Sequence, residues 1–441
     1  MTALSRGRRR DIRGLTVRAV LFRGSRDLIP LYALYALLFA DHGLSTAQIS
    51  LLLAMWSVTA FLLEVPSGAW ADTVSRRAML ILSAVLMATG FTVWTLAPSF
   101  VGFGVGFVVW GVASALESGT FEALVYDELT AAGAGKSYPR VMGYARAAQE
   151  SSVVVAILAA APLYALGGYA LVGWVSVAVS GLHCVIALTL PSPPKAVSAA
   201  GVDELDADAP AQIPSIPGEI GPAIGGAEPK IFARYRSMLR AGIGESVRVR
   251  HVRAGVLLVA LIYGVTAYDE YFALLAEDAG VSTAIVPLLV GVTVLGSLAG
   301  SLLAGRTQRM SGVVMGVALA VAGVLFIAGT VAAGIAAGQP RLVYPLTVAG
   351  FTAIGLAYGI VFNADVVAEA RLQDAIEGQA RATVTSVSGL LSEVVALAVF
   401  GFVVVVTRWL SLSSTVALLG VVMLVIAWAA PKWLPRRGIE R

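Results

Sequence analysis

The sequence has few charged residues, because Asp, Glu, Lys and Arg together make up only 13% of its 441 residues. A soluble globular domain carries about twice that fraction. Hydrophobic residues account for 58% of the chain, and the mean hydropathy is +0.83. The composition excludes an ordinary soluble fold and predicts a membrane protein that crosses the bilayer many times.

Cysteine and histidine are nearly absent as well. The single cysteine, Cys184, excludes an internal disulfide and a cysteine-based metal site. The three histidines, His42, His183 and His251, are scattered and show no ligand spacing. No Gly-x-x-x-x-Gly-Lys-Ser/Thr loop occurs, which excludes ATP-driven pumping by this chain. We therefore expect no cofactor, no metal site and no enzymatic activity, and the net charge of +4 indicates no nucleic-acid partner.

Long apolar runs dominate the chain instead, and twelve of them are long enough to cross a hydrocarbon core roughly 30 Å thick. They predict an all-α membrane protein. The expected spans are 20–40, 46–66, 78–97, 99–126, 141–166, 169–190, 254–276, 283–304, 311–337, 342–368, 382–407 and 411–430.

Lysine and arginine are distributed unequally between the connecting loops. One side holds the amino-terminal arginines, Arg76, Arg77, the linker between the sixth and seventh spans and the carboxy-terminal cluster, whereas the other side holds only Arg341 and Arg408. Positive residues accumulate on the cytoplasmic side of membrane proteins. We therefore expect a multi-pass protein of the plasma membrane with both termini in the cytoplasm.

The linker divides the chain into three parts: an amino-terminal half at 1–191, a cytoplasmic linker at 192–253 and a carboxy-terminal half at 254–441. The linker begins with a segment rich in Pro, Ala, Gly and Asp, which is typical of disorder. From Lys230 to Arg253 it becomes basic and amphipathic. This segment is expected to lie on anionic lipid, and a regulatory or partner-binding helix is the alternative.

The loop between the second and third spans carries the most specific motif, Gly68-Ala-Trp-Ala-Asp72-Thr-Val-Ser-Arg76-Arg77. It resembles the signature loop Gly-x-x-x-Asp-x-x-Gly-Arg-Arg/Lys of the major facilitator superfamily, with serine at position 75 in place of the usual glycine. The resemblance implies twelve helices in two pseudo-symmetric six-helix bundles with the substrate between them. It also implies that Asp127, at the end of the fourth span, joins Asp72 and the arginines in a cytoplasmic charge cluster that controls the conformational switch. A generic basic loop is the alternative.

Charged residues inside the spans are unevenly placed, because the third, sixth, ninth and twelfth spans have none in their interiors. In the resembled family those four helices form the outer scaffold. A charge inside a bilayer is costly and usually faces a cavity or a partner. Arg146 is the only base expected at depth, and the expected proton-coupling residues are Glu117, Asp269, Glu270, Glu150, Glu393 and Arg146. The alternative is that each carboxyl only makes a hydrogen bond between helices.

Aromatic residues on four of the charged spans are candidates for lining a substrate cavity, although aromatics in membrane helices often serve packing. The candidates are Tyr32, Tyr35, Trp110, Tyr263 and Tyr358. Three glycine pairs, beginning at Gly102, Gly296 and Gly355, have the i, i+4 spacing of close helix contacts.

These features together predict a monomeric secondary transporter that moves a small solute across the lipid bilayer by alternating access. Export in exchange for protons is the leading hypothesis. Proton-coupled uptake of a metabolite is the second, and a membrane sensor that does not transport is the third. The sequence does not identify the substrate.

Overall fold

The computed structural model describes residues 3–192, 249–376 and 381–435, and within these ranges it contains helices and no strands. In the first range the helices are α1 (Ala3–Arg26), α2 (Tyr35–Asp41), α3 (Thr46–Thr73), α4 (Arg76–Leu96), α5 (Phe100–Glu117), α6 (Thr120–Ala131) and α7 (Tyr138–Leu188). The other two ranges hold α8 (Arg250–Val265), α9 (Phe272–Asp278), α10 (Val286–Thr307), α11 (Gly312–Ala336), α12 (Val343–Ala375), α13 (Arg381–Val406) and α14 (Leu412–Trp433). Short 3-10 turns stand at Pro30–Ala33, Gly135–Ser137 and Thr266–Tyr271.

Ten stretches of the described residues are long and apolar enough to cross a membrane. One of them, Gly135–Leu188, is 54 residues long and contains two crossings. It leaves helical geometry at Gly167 and Gly168, where Gly168 has a φ of +59° that favours glycine. The first crossing is not among the ten stretches, because the turn at Pro30–Ala33 divides it into two helices, α1 and α2. The twelve predicted spans are thus all helical.

The crossings are numbered below in chain order. Crossing 1 comprises α1 and α2, crossing 2 is α3, crossing 3 is α4, and crossing 4 comprises α5 and α6. Crossings 5 and 6 are the two arms of α7, and crossing 7 comprises α8 and α9. Crossings 8 to 12 are α10 to α14 in order. The boundaries of the two halves stay a prediction, because most of the linker, including residues 230–248 of its basic amphipathic segment, lies outside the described residues.

Serine residues determine where five of the helices begin. Each of them precedes a helix, and its hydroxyl oxygen accepts a backbone N–H from the first turn. Backbone groups that lack such a partner are costly near a membrane, and serine is among the preferred capping residues. The five capping residues are Ser45, Ser75, Ser99, Ser311 and Ser411.

Crossings 8 and 10 approach each other closely through the two glycine pairs that the sequence singled out. A Cβ atom on Gly300 would overlap the carbonyl oxygen of Gly359, and one on Gly296 would overlap the carbonyl oxygen of Gly355. Small residues let helix backbones meet without a side chain between them. The predicted structural role of these glycines is therefore confirmed.

The two halves meet in the middle of the bundle and toward one end. We call the end that carries Arg76, Arg77 and Arg306 the basic end, and the opposite end the far end. Crossing 5 packs against crossing 8 toward the far end. A Cβ atom on Gly291 there would stand 3.2 Å from Leu158 Cδ2. Crossings 1 and 2 reach crossings 7 and 11 through the hydrogen bonds described below. Toward the basic end a cavity separates the halves.

Candidate functional site

At the basic end, the loop between crossings 2 and 3 is tied to neighbouring helices by its arginines. Arg76 forms an ion pair with Asp127 of crossing 4, whose side chain is 4% exposed, and donates to the Ala123 carbonyl at 3.3 Å. Arg77 donates to the carbonyl of Leu188, at the end of crossing 6, at 2.5 Å. The expected pairing of Asp127 with this loop is thus present, and its control of conformational exchange stays a prediction.

The other two residues of the motif, Gly68 and Asp72, lie in α3. Their side-chain surroundings are outside the described part of the chain. Ser75, which replaces the glycine usual at that position, has a φ of −60° and caps α4 by accepting the Ala78 N–H. Because no left-handed backbone is needed here, serine serves as well as glycine.

A buried ion-pair network lies inside the amino-terminal half. Glu117 of crossing 4 accepts from Arg23 Nη1 at 2.8 Å and from Arg26 Nε at 2.6 Å. Arg23 also pairs with Glu122, and Arg26 pairs with Asp27 at 2.9 Å. The Glu117 side chain is only 4% exposed. Its charge is compensated by the two arginines rather than by water.

The network extends to crossings 5 and 6. Asp27 accepts from Gln149 Nε2 at 2.6 Å, and His183 Nδ1 lies 2.9 Å from the Ser25 hydroxyl. Four crossings of one half are therefore held together by charged and polar contacts. The expectation that Arg146 is the only deep base is wrong. Arg23 and Arg26 lie in the interior of the amino-terminal half, where they neutralise Glu117.

A second group of carboxyls belongs to the carboxy-terminal half. Glu270 of crossing 7 accepts from the Tyr35 hydroxyl of crossing 1, and Glu393 of crossing 11 accepts from the Ser57 hydroxyl of crossing 2 at 2.5 Å. Both of these bonds cross the division between the halves. The Tyr271 and Ser50 hydroxyls make a third bridge at 2.7 Å.

Asp269 and Glu270 are adjacent in sequence but have partners in different halves. Asp269 accepts from Tyr358 of crossing 10, which belongs to its own half. Their 3-10 turn directs neighbouring side chains to different sides of the crossing. The structure therefore separates the two acids and makes Glu270 the one that reaches the other half.

A cavity of about 190 Å³ opens between the halves toward the basic end. Crossing 5 contributes Arg146, and crossings 7, 10 and 11 supply the rest of the wall. The polar and aromatic residues of the wall include Arg146, Tyr263, Asp365, Glu369, Ser388 and Ser392. The Arg146 side chain faces this space and is 80% exposed. Its Nε lies 4.0 Å from Oε1 of Glu150, whose side chain is half-exposed.

The predicted aromatic residues do not form a single cavity. Tyr32 stacks on Trp110 with ring centroids 5.5 Å apart, within the aromatic core of the amino-terminal half. Tyr35 and Tyr358 are almost buried and donate to Glu270 and Asp269. Tyr263, which is 51% exposed, lines the cavity. The role of all five in substrate binding stays a prediction.

Sequence reasoning assigned no role to Asp365 or Ser388, although both line the cavity. The spacing of polar residues on crossings 10 and 11 could have identified this face from the sequence. Asp365 and Glu369 are four residues apart on one helix, and Ser388 and Ser392 repeat this spacing on the next crossing. Residues four apart share a helix face, so polar residues repeated at that interval in an apolar span indicate a face that is turned away from lipid.

Comparison with known proteins identifies the fold. The sequence profile described as the Major Facilitator Superfamily matches residues 19–399. An auto-inhibited peptide transporter of the POT family has a similar structure, with a TM-score of 0.69, 13% identity and 98% of each chain covered.

Two further transporters show the same similarity. A bacterial homolog of the human lysosomal transporter Spinster, in an inward-facing state, has a TM-score of 0.67 and 17% identity, with 98% of this chain and 99% of that chain covered. A D-xylose–proton symporter has a TM-score of 0.67 and 14% identity, with 96% of this chain and 98% of that chain covered. No curated protein matches the sequence.

Proposed function

Because the chain belongs to the major facilitator superfamily and is a secondary transporter of that family, we propose that it exports a small solute in exchange for protons. The protein is a multi-pass membrane protein and not an enzyme.

The observation that supports proton coupling is the position of Glu270 and Glu393. Each is a carboxyl of one half that accepts a hydrogen bond from a hydroxyl of the other half. A charged carboxylate only accepts hydrogen bonds, whereas a protonated one also donates. Gain or loss of a proton at this contact therefore changes how strongly the two halves are held together. A ligand shifts a conformational equilibrium when it binds the two states unequally, and a proton at Glu270 meets that condition.

Export requires a state in which solute enters from the cytoplasm, and the cavity at the basic end provides such a state. The basic end carries the loop arginines, so we propose that it faces the cytoplasm, in a plasma membrane, with both termini on that side. A cavity open to the cytoplasm loads solute there, and the contacts between the halves close the route at the far end. Separation of those contacts and closure of the basic end would release the solute outside. We propose that one chain, as a monomer, performs the whole cycle.

The test is a panel of candidate solutes in purified protein reconstituted into liposomes, with a pH gradient imposed across the membrane. The coupled solute is expected to accumulate against its own gradient when protons flow in the opposite direction. Glu270→Gln should abolish this accumulation, and Asp278→Asn, an exposed acid on the same crossing, is the matched control. Accumulation driven by protons that move in the same direction as the solute would contradict export and support uptake.

A further inference from the structure

The cavity between the halves contains two polar groups that have no partner within the described part of the chain. Asp365 Oδ1 and Ser388 Oγ are both shielded from solvent, and neither has a hydrogen-bond partner there. Both residues line the cavity, and Ser388 is only 5% exposed. Buried polar groups in proteins are nearly always hydrogen-bonded, so these two indicate a ligand that completes the site.

The charge of the cavity wall favours a cationic ligand. Among the described residues of the wall, Asp365 and Glu369 are the acids and Arg146 is the base. Arg146 already has Glu150 beside it on the same helix at 4.0 Å. The uncompensated charge of the wall is therefore negative, and a carboxylate in an apolar environment without a cation is costly.

We propose that this cavity binds a small organic cation through a protonated amine, with Asp365 as its counter-ion. Rotation of the two side chains turns their shielded oxygens toward the cavity, where the ammonium group donates to the Asp365 carboxylate and to the Ser388 hydroxyl and so compensates both groups that now lack partners. The half-exposed Tyr263 ring offers an aromatic surface beside them, and cations are attracted to such ring faces. Glu369, one helical turn from Asp365 toward the basic end, attracts the cation to the entrance.

The size of the cavity limits the ligand. Pockets that enclose drug-sized molecules usually measure about 300–1,000 Å³, whereas this one measures about 190 Å³. A single aromatic or aliphatic amine fits that volume better than a large multi-ring compound does. This inference rests on the proposed transport function for its biological meaning, but the binding that it predicts requires neither a proton gradient nor transport.

The experiment measures binding to the purified full chain by the shift of its unfolding temperature with four small aromatic probes that differ in charge. Benzylamine is the cation, benzyl alcohol the neutral analogue, benzoate the anion and phenylalanine the zwitterion. Benzylamine is expected to raise the unfolding temperature in a saturable way. The alcohol and the anion are expected to have no effect at the same concentrations.

Two substitutions identify the site. Asp365→Asn keeps the size of the side chain and should weaken benzylamine binding by about thirtyfold or more, the effect of removing one partner of a buried charge pair. Ser388→Ala should weaken it less. Asp374→Asn removes an exposed acid of the same helix that does not line the cavity, and it should leave binding unchanged.

Three results would overturn the proposal: equal shifts with benzylamine and benzyl alcohol, unchanged benzylamine binding in Asp365→Asn, or stronger binding of phenylalanine than of benzylamine. The last would assign the site to zwitterions with Arg146 as the second anchor. If Asp365→Asn fails to fold, Ser388→Ala supplies the same comparison. A failure of proton coupling leaves these binding results untouched, so the two proposals are tested separately.

Discussion

Glu270 of crossing 7 accepts a hydrogen bond from the hydroxyl of Tyr35 in crossing 1, across the division between the two halves. This contact lies in the region where the halves meet, away from the cavity at the basic end. A carboxyl at such a contact responds to its own protonation by changing the strength of the contact. We propose that this contact links proton binding to opening at the far end.

The first prediction concerns this link. Glu270→Gln keeps an oxygen that accepts from Tyr35 but removes the exchangeable proton. It should abolish accumulation driven by a pH gradient while exchange of solute across the membrane continues. Asp269→Asn should have a smaller effect, because Asp269 bonds to Tyr358 within its own half. Equal effects of the two substitutions in reconstituted liposomes would show that the contact between halves is not the coupling site.

The second prediction concerns Glu117, which lies between Arg23 and Arg26. Glu117→Gln leaves two partly buried arginines with less compensation, and breaking a fully buried ion pair costs about 3–5 kcal/mol, which is the upper bound here. We therefore expect a lower unfolding temperature and lower yield of folded protein, with any loss of transport following from instability. The control is Glu150→Gln, an exposed acid whose pairing distance is 4.0 Å. A Glu117→Gln protein that is as stable as the wild type but uncoupled would restore Glu117 as the coupling residue.

The third prediction concerns the loop at the basic end. Asp127→Asn and Arg76→Gln should each impair transport, since each removes one partner of the ion pair between the loop and crossing 4. Exchanging the two charges, with Arg76→Asp and Asp127→Arg together, should recover part of the activity. We expect Asp72→Asn and Arg77→Ala to impair transport as well, with membrane expression largely intact. Wild-type transport in all of these variants would reduce the motif to a signal for topology.

The fourth prediction concerns orientation in the membrane. Ser99→Cys lies at the start of crossing 4 at the far end, and Ser215→Cys lies in the linker, outside the described residues. In a Cys184→Ala background, an impermeant thiol reagent should label Ser99→Cys in intact cells and Ser215→Cys only after the cells are opened. The reverse pattern would place the basic end outside the cell and overturn the proposed direction of export.

The fifth prediction concerns the contact of crossings 8 and 10. Gly300→Ala places a Cβ atom against the carbonyl oxygen of Gly359, and backbone atoms cannot move aside as a flexible side chain can. We expect a lower unfolding temperature, because overpacking typically lowers the free energy of unfolding by about 1–3 kcal/mol. Gly305→Ala, on the same helix, has nothing within 4 Å of its added Cβ and should be neutral or slightly stabilising. The comparison of the two alanine variants separates close packing from helix propensity.

Much of the fold follows from the sequence, because hydropathy and turn residues act locally. All twelve apolar runs are helical, and the turn between crossings 5 and 6 stands at Gly167 and Gly168, where the sequence placed the gap. The resemblance of the loop to the signature motif of the family also implied the pairing of Arg76 with Asp127, which is present. These features depend on segment length, on glycine geometry and on residues that remain near each other at one end of the bundle.

The partners of the interior charges were decided only by the tertiary structure. The sequence shows that Glu117 is deep in the bilayer, but Arg23, which neutralises it, is 94 positions away, and Ser57 and Glu393 are 336 apart. Depth follows from position along a span, whereas partner choice depends on how each helix is rotated and which helix it packs against. Hydropathy does not contain that rotation. For this reason the sequence determined a twelve-helix membrane transporter, and the packing of its helices decided which acids are neutralised, which bridge the halves and which face the cavity.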